Sequence, residues 1–173
     1  MRRQSAISAI LLLATTLVIV VRADETDIRK ELEHIGNIQL QAFNRKDVKA
    51  YLKYIAPNYS TTTLEGYTSR QPRPQLERET LSDMENTISI DFVIRDIKEV
   101  KVKGGEIVVV VSQKSSRVLK DEGSRHKWET SVVQREKWIK TDEGLKLYSI
   151  EMLEVVYLIK DGKLITGSKE KDD

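Results

Sequence analysis

Residues 128–140 read WETSVVQREKWIK, a stretch rich in β-branched and aromatic residues and bounded on both sides by turn sequences. These features are typical of a β-strand, in which successive side chains point to opposite faces of a sheet. We therefore predict a strand in which polar groups interrupt the apolar row on one face. That face carries, in order, Trp128, Thr130, Val132, Gln134, Glu136 and Trp138.

The segments around this stretch also favour strands. Residues 107–111 (IVVVV) form an unbroken apolar run that is typical of a central strand, and residues 145–159 predict the last long strand. Residues 88–94 alternate apolar and polar, which predicts a half-buried strand whose apolar row is Ile88, Ile90, Phe92 and Ile94. Four long strands joined by short turns indicate a strongly curved antiparallel meander. The turns fall at residues 104–105, 121–124 and 141–144, and a final short hairpin lies around residues 161–162.

The chain before residue 88 has a helical rather than a strand period. Apolar residues recur at steps of three and four over residues 27–43, which predicts an amphipathic helix. Asp47 predicts the cap of a second short helix that Pro57 ends, and Pro74 begins a third helix that runs to about Asn86. Short strands lie between the second and third helices. The order of elements predicts one α+β domain over residues 24–173.

Residues 1–23 have the composition of a signal peptide. Arg2 and Arg3 precede an uncharged, largely apolar stretch that ends with small residues two apart, at Val21 and Ala23. We expect cleavage after Ala23, and therefore a secreted or periplasmic protein with no membrane segment after cleavage. The alternative is an uncleaved anchor, since about 18 apolar residues just span a bilayer.

The charge balance argues against nucleic-acid binding. Three of the 29 basic residues and none of the 27 acidic residues lie in the leader, so the remaining chain carries 26 basic and 27 acidic residues, a net charge of −1. No basic surface is therefore indicated. The chain also has no cysteine, whereas small secreted eukaryotic domains usually depend on disulfides. A bacterial export pathway fits this composition best.

Several local patterns resemble the nuclear transport factor 2-like superfamily, particularly its SnoaL-like secreted branch. They are AFNRKD at residues 42–47, APNY at residues 56–59, REKWIK at residues 135–140 and GLKL at residues 144–147. The family often has Asp where Asn58 stands and Trp where Leu145 stands. The resemblance implies a cone, in which a curved antiparallel sheet wraps around the N-terminal helices as in cystatin-like folds. It also implies a pocket at the open end and a homodimer.

Polar residues that interrupt apolar rows are the candidate site residues. Burial of an unpaired carboxylate is expensive, so Glu136 and Glu151 either lie on a solvated or paired face or line a polar pocket. In the second case one of them is a candidate general base. With no cysteine and two distant histidines, we expect no metal site, and no cofactor motif is present. The candidate ligand-binding residues are Gln39, Tyr51, Tyr59, Gln134, Glu136 and Glu151.

Three functions are compatible with these residues. The first is a binding domain that holds a small, partly apolar molecule in the pocket of the cone. The second, implied by enzymes that resemble this fold, is cofactor-free acid–base chemistry (isomerase, cyclase or dehydratase) at a pocket carboxylate with tyrosine helpers. The third is a structural dimer in which side chains fill the cone.

Overall fold

A computed structural model describes the backbone of residues 5–121 and 123–167, with side chains described from Glu25 onward. Three helices alternate with short strands and then give way to long strands. The helices are α1 (Ser5–Asn44), α2 (Val48–Leu52) and α3 (Arg73–Asn86). The strands are β1 (Ile55–Thr62), β2 (Thr68–Arg70), β3 (Thr87–Lys103), β4 (Glu106–Asp121), β5 (Ser124–Thr141), β6 (Gly144–Lys160) and β7 (Lys163–Gly167).

Local chemistry explains how the helices begin and end. The Asp47 carboxylate accepts a hydrogen bond of 3.0 Å from the Ala50 N–H, which confirms the predicted cap of α2. Pro74 lies in the first turn of α3, where its missing N–H has no helical partner to lose. Helix α2 ends at Leu52 rather than at Pro57, because Ile55 already belongs to β1.

The sheet runs in the order β2–β1–β6–β5–β4–β3, and β7 pairs with β6. Every neighbouring pair is antiparallel except β1 and β6, which run parallel. The sheet is therefore mixed rather than wholly antiparallel, since the chain must cross from β1 through α3 to reach the far edge at β3. The predicted α+β, cone-like arrangement of an open curved sheet against N-terminal helices is confirmed.

Bulges are concentrated in two of the long strands. Strand β3 has three extra residues relative to β4, at Ile88, Asp91 and Lys98. Strand β6 has three extra residues relative to β5, at Tyr148, Leu153 and Val156. In the ladder between β4 and β5 the pairing runs without a break. A bulge bends its strand and increases its twist, so bulged strands on both sides of a regular pair curve the sheet into an open cone.

The apolar core lies where the helices pack against the inner face of the sheet. Ile28, Leu32 and Ile35 of α1 are buried in one cluster with sheet residues. Arg29 adds a polar tie across the same contact, since its Nη1 donates to the Ile97 carbonyl oxygen at 2.6 Å. Helix α2 adds Leu52 to the cluster, and its sheet members include Val100, Ile107, Val109, Val111 and Leu145.

Of the predicted apolar row of β3, Ile90 lies on the inner face of the sheet, whereas the other three residues do not. Ile88, Phe92 and Ile94 are 45%, 41% and 57% exposed, respectively. The bulge at Asp91 reverses the alternation, because one inserted residue exchanges the two faces of everything beyond it. Val93 and Arg95 therefore occupy the inner face in place of Phe92 and Ile94.

No helix among the residues with described side chains combines the length and the apolar character needed to cross a membrane.

Candidate functional site

The inner face of β5 forms the floor of a cavity at the open end of the cone. Thr130, Gln134, Glu136 and Trp138 all line this cavity, as the alternation in residues 128–140 predicts. Trp138 and Glu136 are 1% and 2% exposed, and Gln134 is 8% exposed. A polar group is thus embedded in the most buried part of the floor.

Three N–H donors surround the Glu136 carboxylate. Its Oε1 accepts hydrogen bonds from Arg95 Nη2 at 2.6 Å and from Gln134 Nε2 at 2.8 Å, and its Oε2 accepts one from the indole Nε1 of Trp138 at 2.9 Å. Such a charge-assisted network offsets the penalty of burying a carboxylate. These three bonds use most of the acceptor capacity of the carboxylate.

Arg95 is the site residue that the sequence did not reveal. It lies on β3, and the bulge at Asp91 directs it inward, where its guanidinium pairs with Glu136. Its Nε is buried and has no hydrogen-bond partner in the described structure. No local sequence signal distinguishes it from the solvent-facing charges around it, because the bulge that turns it inward leaves no pattern in residues 88–95.

The cavity has a volume of about 360 Å³ and lies between α1, α2 and the sheet. Leu40, Phe43 and Ile55 supply part of its apolar wall, together with Ile150 of β6. Its polar wall includes Gln113 and Ser115 of β4. The cavity thus combines an apolar lining with a few polar groups, which is the usual composition of a small-molecule site.

Two tyrosines belong to the lining of this cavity. Tyr51 of α2 and Tyr59 of β1 both line it, and among the described residues neither hydroxyl has a hydrogen-bond partner. Burial raises the pKa of both hydroxyls. For Tyr51, Asp83 raises the pKa further, whereas Arg95 and Arg117 oppose the shift. Both groups therefore remain protonated at neutral pH and can donate a hydrogen bond.

Gln39 and a second ion pair complete the polar lining. The Gln39 amide Nε2 donates to the Tyr51 carbonyl oxygen at 3.2 Å, which ties α1 to α2 and leaves the Gln39 Oε1 as an acceptor. At another part of the lining, Arg117 Nη1 donates to both carboxylate oxygens of Asp83 at 3.0 and 3.1 Å. Gln39, Tyr51, Tyr59, Gln134 and Glu136 are thus brought together around one cavity.

Glu151 lies elsewhere, which corrects its predicted place among the site residues. Its carboxylate accepts a hydrogen bond of 2.6 Å from Arg135 Nη1 on the outer face of the sheet, where both side chains are about 40% exposed. The bulge at Tyr148 shifts the alternation of β6, so Leu147 and Ile150 face the cavity and Glu151 faces away. The sequence left two positions open for Glu151, a solvated or paired face and a polar pocket. The structure places Glu151 on a paired, partly solvated face.

No group of three or more His, Asp or Glu side chains among the described residues is placed to hold a metal ion. The polar cavity groups of the site are amides, hydroxyls, guanidiniums and two paired carboxylates. They favour hydrogen bonding to an organic ligand.

Solved structures with this arrangement of helices and strands are known. A conserved protein from Planctomyces limnophilus superposes with a TM-score of 0.58 at 11% identity, over 80% of this chain and 98% of that one. An NTF2-like superfamily protein from Salmonella enterica superposes with a TM-score of 0.55 at 16% identity, over 74% of this chain and 91% of that one. An NTF2-like protein from Cytophaga hutchinsonii superposes with a TM-score of 0.52 at 12% identity, over 72% of this chain and 95% of that one.

The fold is therefore that of the nuclear transport factor 2-like superfamily, as the sequence patterns predicted. No family model and no curated protein sequence matches the chain. At these identities the likeness establishes the fold alone, so the function must be argued from the cavity.

Proposed function

We propose that the protein binds a small, partly apolar molecule in the cavity between α1, α2 and the inner face of the sheet. The observation that carries this proposal is the cavity itself, which is open and about 360 Å³ in volume rather than filled by side chains. Ligand pockets commonly span about 300–1,000 Å³. The unpartnered hydroxyls of Tyr51 and Tyr59 supply groups that can orient a bound molecule.

Two other functions have less support. A purely structural domain has no need of an open cone, and side chains would be expected to fill it. Acid–base catalysis requires a carboxylate within reach of the ligand, yet both oxygens of Glu136 accept protein hydrogen bonds and its side chain is only 3% exposed. The other cavity carboxylate, Asp83, is engaged by Arg117.

A neutral fluorescent probe tests the proposal. We expect N-phenyl-1-naphthylamine to bind the purified protein with enhanced fluorescence, because its two aromatic groups suit the apolar wall. Ile150→Trp places a larger side chain on that wall and is expected to weaken probe binding about tenfold or more. Ile165→Trp makes the same change at a site in β7 that is 57% exposed, and should bind like the unmodified protein. Equal binding by the two variants, or no binding by the unmodified protein, contradicts the proposal.

We also propose that the protein is exported, with the leader of residues 1–23 removed, and that it forms a homodimer. The basic start, apolar middle and small exit residues of the leader support export, although the side chains of residues 1–24 lie outside the described part of the structure. Phe92 and Ile94, exposed on the outer face of β3, are apolar groups that a second copy would cover. Native mass spectrometry of the secreted fraction should give twice the mass of residues 24–173. A mass that includes the leader contradicts removal of residues 1–23. A monomer at micromolar concentration contradicts the homodimer.

A further inference from the structure

The two ion pairs of the cavity do not present their charges equally. Glu136 is enclosed by its three donors, and its side chain is 3% exposed, whereas Arg95 is 22% exposed and lines the cavity. Only Nη2 of Arg95 is engaged by Glu136. A molecule in the cavity therefore has more access to the cationic side of this pair than to the anionic side.

The Nη1 nitrogen of Arg95 is the group that remains available. Within the described part of the chain it has no hydrogen-bond partner, and it is not among the buried atoms. Gly36 of α1 lies next to it in the cavity lining. A Cβ atom at position 36 would lie 3.0 Å from Nη1, so a larger side chain there would occupy the space beside the guanidinium. The absence of a side chain at Gly36 therefore lets Nη1 lie close to the α1 backbone.

A further hydroxyl group lines the same cavity as this guanidinium. It belongs to Tyr51 of α2, and it has no hydrogen-bond partner among the described residues. The remaining charged groups that face the cavity are Asp83 and Arg117, and they neutralise each other through two hydrogen bonds. Both carboxylates that line the cavity in the described part of the chain are thus paired with an arginine, and neither is left free to oppose an anion.

Resting on the proposed function, we infer that the natural ligand carries a carboxylate group, which binds Arg95 Nη1 and accepts a hydrogen bond from the Tyr51 hydroxyl. The apolar remainder of the ligand then lies against Leu40, Phe43 and Ile150. Guanidinium–carboxylate hydrogen bonds are charge-assisted, and they gain strength where water is partly excluded. A neutral carbonyl group makes a weaker bond to the same donors.

Displacement of the neutral probe N-phenyl-1-naphthylamine by two matched competitors tests this inference. 1-Naphthaleneacetic acid and 1-naphthaleneacetamide share the same apolar ring system. The acid carries a carboxylate, and the acetamide carries a neutral amide in its place. At pH 7 we expect the acid to displace the probe at a concentration about tenfold lower than the amide, a ratio typical of one charge-assisted hydrogen bond over a neutral one.

Two variants locate the preference at Arg95. Gly36→Leu covers Nη1 without removing any charge, and Arg95→Met/Glu136→Gln removes the ion pair as a unit, so that no buried charge is left alone. In both variants, we expect the acid and the amide to displace the probe at equal concentrations. The matched control, Arg135→Met/Glu151→Gln, removes an ion pair between β5 and β6 on the outer face of the sheet and should keep the tenfold ratio.

The outcomes separate the two proposals. If the unmodified protein binds the probe but responds equally to acid and amide, the carboxylate inference is overturned while the binding function stands. If the tenfold ratio survives in both Arg95-directed variants, the assignment to Arg95 is overturned. If the probe itself does not bind, the proposed function fails, and the inference fails with it.

Discussion

Glu136→Ala is expected to lower the free energy of unfolding by about 3 kcal/mol, because it removes one partner of a buried ion pair. The change leaves Arg95 without its carboxylate and leaves the Gln134 amide and the Trp138 indole N–H without their acceptor. The value lies at the lower end of the range for broken buried pairs, since the Arg95 side chain is 22% exposed and can reach water in the cavity.

Glu151→Ala is the matched control for this prediction. Glu151 also pairs with an arginine at 2.6 Å, but both partners are about 40% exposed on the outer face. Exposed pairs of this kind contribute about 0–1 kcal/mol. Urea unfolding followed by circular dichroism measures both variants under one set of conditions. Similar losses for the two variants would show that Glu136 is not the centre of a buried network.

Trp138→Ala is expected to lower the free energy of unfolding by about 3–5 kcal/mol, the usual range for truncating a fully buried aromatic residue. Trp138 is 1% exposed, belongs to the main apolar core and donates its indole N–H to Glu136. The variant therefore combines a large void with a lost hydrogen bond. Because Trp138 and Glu136 are in contact, the double variant should lose less than the two single losses added together.

Trp128→Ala, at the other end of β5, provides the comparison. Trp128 is only half-buried, and Lys160 Nζ lies 5.1 Å from the centroid of its ring. A partly exposed cation–π contact contributes about 0.5–1 kcal/mol, so we expect a total loss of about 1–2 kcal/mol. The same urea experiment applies, and each single variant keeps one tryptophan as a fluorescent reporter. A larger loss for Trp128→Ala than for Trp138→Ala would contradict the placement of Trp138 in the buried core.

The part of the site on β5 could be predicted because this strand has no extra residue of its own. Its alternation runs unbroken from Thr130 to Trp138, so the residues grouped on one face in the sequence stay together in the fold. The helix cap at Asp47 was predictable for a similar reason, since the contact is made within four residues. Patterns of this kind depend only on local geometry.

The bulged strands could not be predicted in the same way. In β3 the alternation of Ile88, Ile90, Phe92 and Ile94 continues across the bulge, so the sequence shows no sign that the two faces exchange there. That exchange concealed Arg95, and the bulges of β6 likewise turned Glu151 outward. Sheet curvature arises from pairing between distant strands, and a single residue inserted against a partner is enough to redirect the side chains that follow.

The most direct test of the binding cavity is the indole N–H resonance of Trp138 in a two-dimensional ¹H–¹⁵N NMR spectrum. The chain has two tryptophans, and only Trp138 lies at the cavity, where its indole N–H bonds to Glu136. Titration with 1-naphthaleneacetic acid should shift the Trp138 indole signal in a saturable manner and leave the Trp128 signal in place, with Trp138→Phe identifying the peak. An unchanged Trp138 signal at saturation, or a shift confined to Trp128, would contradict binding in this cavity.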